Sequence, residues 1–589
     1  SVISLDEALQ KLTPSFSSMT NGMGTTLSLN GLPDDYFIFL ENGKRLYGDD
    51  TYARINVAKI KRIEILNGAS SALYGTNAIG GVINIITDDV KNAINVSSDT
   101  RYASKGRFTQ SVNIDVNTGK FGSYTSYRRQ QAEGWQLNPY EENSKTHELE
   151  ETGKVASTGF YANTVNQKFT FDATDKLSFY ARGGYYDNKT RRPYEAYDYN
   201  ILHETFNYGI GAQYMINKGN YITADCYADH FSSSYCFFKD NKTYNGKAGE
   251  EQVRKRTRNH NLSIKGIFKL GGRHKLSVGT EYIVDVLKSQ TDNIAKEDAY
   301  TLALFAQDEI KLLRNLQALI GVRYIYHENF KNHATPNVAL MYKPGKFNFR
   351  ASYAAGFRTP TLSELYATDI AKKNDRLTIG NLDLKPEKNN YFSLSAEYVH
   401  ERFSVSVNAF YNNIRDMIDY NTIATGDKAM EQYGHKEVRQ RDNIAEAKVH
   451  GINVSANAYL GAGFNLSGGY THLNTQDVEL EQPIDKSIKN AYNINAQWAH
   501  SWKIYRLNIN LNGRFNSKRF SKSYGYAPEY QLWDLNTRHS FNLKSVIIEP
   551  GCGIENLFDY TDDRPYNSNY ATLTPGRSFY ISLSLKFKS

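Results

Sequence analysis

The C-terminal segment of this 589-residue chain alternates without a break: Phe579, Ile581, Leu583, Leu585 and Phe587 are interleaved with Ser582, Ser584 and Lys586. Phe403, Val405, Val407, Ala409 and Tyr411 alternate with Ser404, Ser406 and Asn408 in the same way. Successive side chains of a strand point to opposite faces, so each run makes one apolar row and one polar row. From about residue 92 onward the chain is one long series of such runs. The connections differ in length. Short turns recur at Asn117-Thr118-Gly119-Lys120, Asn217-Lys218-Gly219-Asn220, Gly271-Gly272-Arg273-His274, Lys343-Pro344-Gly345-Lys346 and Gly461-Ala462-Gly463. Longer polar connections fall at roughly 133–152, 234–253, 355–388, 415–444, 475–487 and 555–577. Short turns at one end and long loops at the other predict a transmembrane β-barrel, antiparallel, with about 22 strands and its apolar rows on lipid.

Composition supports an all-β membrane protein. Mean hydropathy is −0.58, and no apolar run reaches the ~18 residues of a membrane helix. A barrel is compatible with that value because only alternate residues meet lipid. Aromatic residues make up 13 % of the chain, with 44 Tyr, as girdles at two membrane interfaces require. The net charge of +8 is dispersed. Lys and Arg are interleaved with Asp and Glu, which excludes a nucleic-acid stripe but suits contact with anionic lipopolysaccharide. Cys226, Cys236 and Cys552 have no metal-ligand spacing. A Cys226–Cys236 disulfide requires the chain to fold back between them. The paired carboxylates Asp49-Asp50 and Asp88-Asp89 have no accompanying nucleophile, and no hydrolase or P-loop motif occurs, so an enzyme is not expected.

Residues 62–87 read RIEILNGASSALYGTNAIGGVINIIT. An alternating run crosses a small-residue turn and ends in a second apolar run, which predicts two strands with a glycine-rich connection. This stretch closely resembles the plug of TonB-dependent outer-membrane transporters. Leu29-Asn30-Gly31, Tyr36 to Leu40, Glu41-Asn42-Gly43-Lys44-Arg45-Leu46 and, near the end, Asn556-Leu557-Phe558-Asp559 extend the resemblance over nearly the whole chain. It implies a plug at residues 1–90 occluding a barrel at 91–589, in the outer membrane of a Gram-negative cell. It also implies energy supplied by TonB, with ExbB-ExbD, through a TonB box preceding the plug. That box is not among these residues, so the chain is expected to be N-terminally incomplete. Ser4 before Leu5-Asp6-Glu7-Ala8-Leu9 predicts a capped helix at the start. A surface lipoprotein that captures substrate is a further partner compatible with the resemblance.

The function expected is high-affinity active uptake of a scarce nutrient, rather than a passive or adhesive barrel. Residues 353–387 resemble the paired motifs of haem and haemoglobin receptors, here Phe357-Arg358-Thr359-Pro360 and Asn381-Leu382-Asp383-Leu384. Haem therefore ranks first as transported ligand and cobalamin second, followed by ferric siderophores and oligosaccharides. No cofactor is expected to be covalently bound. The histidines such haem receptors carry are missing: none lies in 1–90, and none between Pro360 and Gly380. Thioether and phenolate are the remaining iron ligands. A plug in a closed barrel exposes only its apical loops. The candidates are the Gly-rich turn with Met19, Asn21 and Met23 and the polar excursion with Tyr47, Asp50 and Tyr52. Arg358, Glu364 and Tyr366 are expected at the base of the long loop, and His435 in the 415–444 loop.

Overall fold

The computed structural model describes all residues except 1–3, 22–23, 69–74, 76–77, 88–92, 136–139, 144–145, 152–156, 195–196, 372–374, 523–524, 563–573 and 589. The expected domain boundary at 90/91 falls outside the described residues.

The N-terminal part opens with the helix Leu5–Leu12. The Ser4 hydroxyl accepts the Glu7 N–H at 3.4 Å, acidic residues occupy the first turn and Lys11 the last, each favoured by the helix dipole. Leu5 and Leu9 are buried against the hairpin Phe16–Asn21/Gly24–Leu29 and against Phe37, Phe39, Ile83 and Ile85. Behind that hairpin stands a four-stranded sheet. Strand Phe37–Glu41 lies between Lys44–Arg45 and the parallel strand Gly81–Thr87, and Ile60–Asn67 pairs antiparallel with Gly81–Thr87. The two strands expected within 62–87 are therefore neighbours. Their glycine is a packing requirement: a Cβ on Gly81, whose φ is +144°, would sit 2.5 Å from the Leu66 carbonyl oxygen.

The rest of the chain forms a closed antiparallel barrel of 22 strands, from Ile94–Ala103 to Ser578–Lys588. Closure is direct: Tyr580 pairs with Ala103 and Phe587 with Val96. The strands Thr368–Ala371 and Arg376–Ile379 are not staves of the barrel. They form a hairpin inside one loop, because Phe347–Arg358 pairs directly with Glu387–Val399. Phe579, Ile581, Leu583, Leu585 and Phe587 are exposed on the outer surface, as the alternation requires. Connections at one end are all short, and every long one lies at the other. Asn117 to Phe121 and Gly461 to Phe464 are short; Phe237 to Glu251, Arg358 to Glu387 and Glu555 to Ser578 are long.

One expectation is corrected, and one condition is not met. The 415–444 connection is mostly strand: Phe403–Thr425 and Glu437–Gly461 stay paired up to Thr425↔Glu437, leaving only the helix Gly426–Tyr433 at the tip. Its polar composition reflects strands that stand in water beyond the membrane, where backbone pairing continues without a lipid-facing apolar row. Cys226 and Cys236 lie on one strand, Asn220–Phe237, and all three cysteines are free. Ten residues of extended strand span roughly 33 Å, far beyond disulfide reach.

Polar contacts fasten the N-terminal domain inside the lumen. Arg54 bonds Asp229 at 3.0 Å, Lys59 pairs with Asp115, Lys44 with Asp225, and Arg128 donates to the Ile55 carbonyl at 2.7 Å. At the long-loop end, the Tyr36 hydroxyl donates to Glu387 at 3.2 Å. Glu387 is fully buried and takes Arg358 at 2.6 Å, while Arg358 also grips Glu364 at 3.0 Å. Glu364 completes a capping box with Thr361 at the start of the helix Leu362–Tyr366. One buried arginine thus ties the plug, the barrel wall and the base of the longest loop together.

Two measurements check this arrangement. With Cys226, Cys236 and Cys552 replaced by serine, Asp427→Cys should react with an impermeant maleimide on intact cells, and Gly119→Cys only after permeabilisation. The reverse pattern would invert the barrel. Arg358→Ala leaves Glu387 buried without its cation, a local cost of about 3–5 kcal/mol. Limited proteolysis of intact cells should then cut within 359–386 at lower protease dose, with the barrel core intact; an unchanged digestion profile would rule out the strut.

Candidate functional site

Two stretches of the plug reach the long-loop end of the lumen. In the first, residues 30–36, Asp34 and Asp35 are exposed above the buried Tyr36. The surrounding lumen wall strips part of its hydration, and with Asp35 beside it the Asp34 carboxyl is pushed up to about 6. The second is 47–54. It is pinned to the wall at both ends, because the Tyr47 N–H and the Arg54 guanidinium both donate to Asp229 at 3.0 Å. Gly48, at φ +82°, passes so close to Phe231 that a Cβ would lie 2.8 Å from the Phe231 Cβ. Asp50, at φ +56°, is at the crest. Its carboxylate is 2.7 Å from His203 Nδ1 and accepts from the Asn188 amide at 3.4 Å. Burial opposes ionisation of Asp50, but the His203 ring and Asn188 hold its carboxyl below the usual range. Asp49 alongside is 3.4 Å from Lys255. The plug therefore presents carboxylates outward, and cations of the barrel wall partly neutralise them.

Above His203 and Lys255 the wall is aromatic and cationic. Tyr199 shares the inward parity of His203, and Tyr235 that of Asp229. Tyr199 and Tyr235 stack with ring centroids 4.0 Å apart, and Tyr244 meets Tyr235 edge-on at 5.2 Å. Arg192 lies over Tyr197 at 4.1 Å and over Tyr199 at 5.0 Å. Arg254 lies over Tyr244 at 4.9 Å and Tyr235 at 5.3 Å. A bulge delivers it: Ser233 pairs with Lys255 but Ser234 with Val253, so Arg254 is an extra residue, turned to the side of Lys255. The Arg254 Nη1 donates to Gln290 at 2.8 Å, while its buried Nε has no hydrogen-bond partner.

The sequence-predicted residues are dispersed. Met19 is buried in the hairpin opposite Thr26; Asn21 ends that strand, and Met23 lies outside the described residues. Tyr47 holds the wall through its backbone, with Arg45 5.0 Å from its ring. Tyr52 packs against the plug core, where burial pushes its phenol up and disfavours phenolate. Asp50 is at the apex, in contact with His203. Arg358 and Glu364 form the strut described above, and Tyr366 packs on Leu365, Leu384 and Ile418. His435 sits at the tip of its hairpin with Nδ1 2.8 Å from Asp375. The structure thus keeps Tyr47 and Asp50 together and leaves His435 and Tyr366 elsewhere. The sequence reading missed Arg192, Tyr199, His203, Tyr235, Tyr244, Arg254 and Lys255. Strand parity would have pointed most of them inward, but the bulge at Arg254 has no sequence mark. Among the described residues no group of three or more His, Cys, Asp or Glu could hold a metal.

Deeper in the lumen, a cavity of about 730 Å³ separates the helix Leu5–Leu12 from the wall. Asn495, Asn508, Asn510, Asn512 and Asn536 line it, with Ser467 and Ser582. Over this sector the helix is held by few contacts: Lys11 to Asp534 at 3.0 Å, Asn493 to the Lys11 carbonyl at 2.7 Å and Arg514 to the Gln10 carbonyl at 2.6 Å. The arrangement offers an open vestibule above a plug and, beside it, an asparagine-rich polar space with Lys11 and Arg538 on its lining.

Comparison with known proteins matches this architecture at both ends of the chain. Residues 111–557 match the family model "TonB dependent receptor-like, beta-barrel", and residues 1–82 match "TonB-dependent Receptor Plug Domain". The ferric enterobactin receptor PfeA of Pseudomonas aeruginosa superposes with a TM-score of 0.83 at 17% identity, covering 100% of this chain and 98% of its own. The siderophore receptor PirA of Acinetobacter baumannii gives 0.81 at 16% identity, covering 99% and 96%. The FrpB iron transporter of Neisseria meningitidis gives 0.79 at 14% identity, covering 100% and 97%. Identities this low establish a shared fold. With three quarters of the sequence matched by the barrel model and the plug seated in a closed lumen, the chain belongs to the TonB-dependent receptor family: it is an active transporter of the Gram-negative outer membrane, coupled to TonB, and not an enzyme.

Proposed function

We propose that the transported ligand is an anionic ferric siderophore with aromatic iron-binding arms. The observation that carries this reading is Arg254: a half-buried arginine whose Nε has no hydrogen-bond partner, framed by Tyr235 and Tyr244 on the inward face of the vestibule. A planar cation among phenol rings offers an aryl oxyanion both charge and stacking. Arg192 over Tyr197 and Tyr199 repeats the chemistry next to it. Haem ranked first from the sequence, but it finds less support. Tyr52 is taken into the plug core, and His203 is engaged by Asp50. The ligands named for PfeA and PirA point the same way as the wall chemistry.

The geometry also supports a way for occupancy to reach the plug. A ligand anion seated on the wall would compete with Asp49 and Asp50 for Lys255 and His203. That would loosen the 47–54 crest while its ends stay fixed on Asp229. Force applied through TonB would then displace the lightly held helix Leu5–Leu12. The ligand's way down would follow the asparagine-lined cavity, whose amides exchange hydrogen bonds and whose Lys11 and Arg538 meet an anion.

Two experiments test these steps. Arg192→Ala/Arg254→Ala should weaken binding of ferric enterobactin to intact cells by about tenfold or more, at ~1–2 kcal/mol per lost charged contact. Titration of the parent with haem and cyanocobalamin should give no binding of comparable strength; a tight Soret or corrin complex would defeat the siderophore reading. In a background free of native cysteines, Asn510→Cys blocked by a bulky methanethiosulfonate should retain surface binding and lose uptake, with recovery on reduction. Uptake that survives the block would place the route in another sector.

A further inference from the structure

At the short-turn end of the barrel the charge is one-sided. Ten short connections join successive strands there, from 118–120 to 544–545. Together they hold ten Lys and Arg against two carboxylates, Asp175 and Glu401. The difference is +8, the net charge of the entire chain, so all other residues together hold sixty charges of each sign. Every turn except 462–463 contributes a cation; Lys120, Lys218, Arg273, Arg314, Lys343 and Lys346 are among them. All ten cationic side chains are exposed, and none forms an ion pair among the described residues. Even beside the strand pair Lys275–Glu309, joined at 2.8 Å, Arg273 is left out.

Consecutive turns stand two strand spacings apart, roughly 10 Å. That is close to the Debye length of about 8–10 Å, so the charges add into one positive field around the rim. The turns lie past the last apolar row. Phe121, Phe347, Phe403 and Trp502 are exposed and each adjoins a turn. Aromatic rings so placed mark the headgroup level, which leaves the tips in periplasmic water. The cations follow the circumference and do not converge, so a small anion meets one or two of them. A partner that meets many must itself be extended and polyanionic.

We propose that this rim docks on the peptidoglycan network beneath the outer membrane, through the free carboxylates of its peptide stems. Each contact is an exposed charge pair and weak alone; the rim gains affinity because many form at once on one network. Docking of this kind braces the barrel while the plug is pulled from below. It rests on the barrel and its orientation and does not depend on which nutrient is carried.

The test is cosedimentation of the detergent-purified protein with isolated peptidoglycan sacculi. The parent should bind native sacculi about tenfold more tightly than sacculi whose carboxylates have been amidated. Lys218→Gln/Arg273→Gln/Arg314→Gln/Lys343→Gln/Lys346→Gln should weaken binding to native sacculi by about tenfold, with barrel folding confirmed by heat-modifiable gel migration. Equal binding of the parent to native and amidated sacculi would overturn the proposal. So would a folded variant that sediments as the parent does. Release of the parent by micelles containing phosphatidylglycerol, but not by phosphatidylcholine micelles, would assign the rim to inner-leaflet lipid and likewise overturn it. Because the amidation comparison uses the unaltered protein, it decides the question even if the variant fails to fold.

Discussion

Everything in this molecule depends on the pairing of Ser578–Lys588 with Ile94–Ala103. In a bilayer no water is available to an unpaired backbone group, and an open sheet edge would leave a full column of them. Closing the sheet removes both edges at once. It also creates an enclosed lumen wide enough to need filling. The residues before Ile94 fold as they do because that lumen is a polar, walled solvent. Inside it, Leu5, Leu9, Phe37, Phe39, Ile83 and Ile85 make a small core of their own, and the perimeter is settled by ion pairs with the wall.

Those ion pairs are distributed unevenly, and the unevenness has mechanical meaning. Arg54, Lys59 and Lys44 meet Asp229, Asp115 and Asp225 on one side of the lumen. Taking such groups out of water costs several kcal/mol per ion unless each is matched, so separating a matched pair is resisted strongly. The helix Leu5–Leu12 instead faces a wall rich in asparagine amides, with one ion pair to Asp534 and a few bonds to its carbonyls, one of them from Arg514. A force on the plug would be expected to move the part with least to lose. The buried Arg358, joined to Glu387, Glu364 and through Glu387 to Tyr36, ties the apical side of the plug to the foot of the long loop.

The wall of the vestibule is built from features that mean little singly. Tyrosine is abundant everywhere in this chain. Only where inward parity coincides with stacked rings at Tyr199, Tyr235 and Tyr244, and with two guanidiniums over those rings, does a surface of distinct chemistry arise. The carboxylates of the crest below add contrast. Asp49 meets Lys255 and Asp50 meets His203, so the plug's apex and the wall share charged contacts.

How much of this was legible beforehand follows from which interactions are local. Alternation along Phe579 to Phe587, the short turns such as Asn117 to Lys120, and the glycine-rich 62–87 run are decided within a few residues of chain. They determined the barrel, its strand number and the plug, because period-two patterning and turn chemistry act at that range. The 47–54 crest was legible too, as a polar excursion between apolar runs. The extent of the strands around Gly426–Tyr433 was not, because pairing in water needs no apolar row. Nor was the site: Tyr52 and Tyr47 look alike in sequence, yet the fold packs one into the plug core and pins the other to the wall at Asp229. Arg254 reaches the vestibule by a bulge, and Arg358 finds its buried partner Glu387 across the foot of a loop. Such meetings are set by register, closure and the seating of the plug, which join residues far apart in the chain and so exist only once the tertiary structure does.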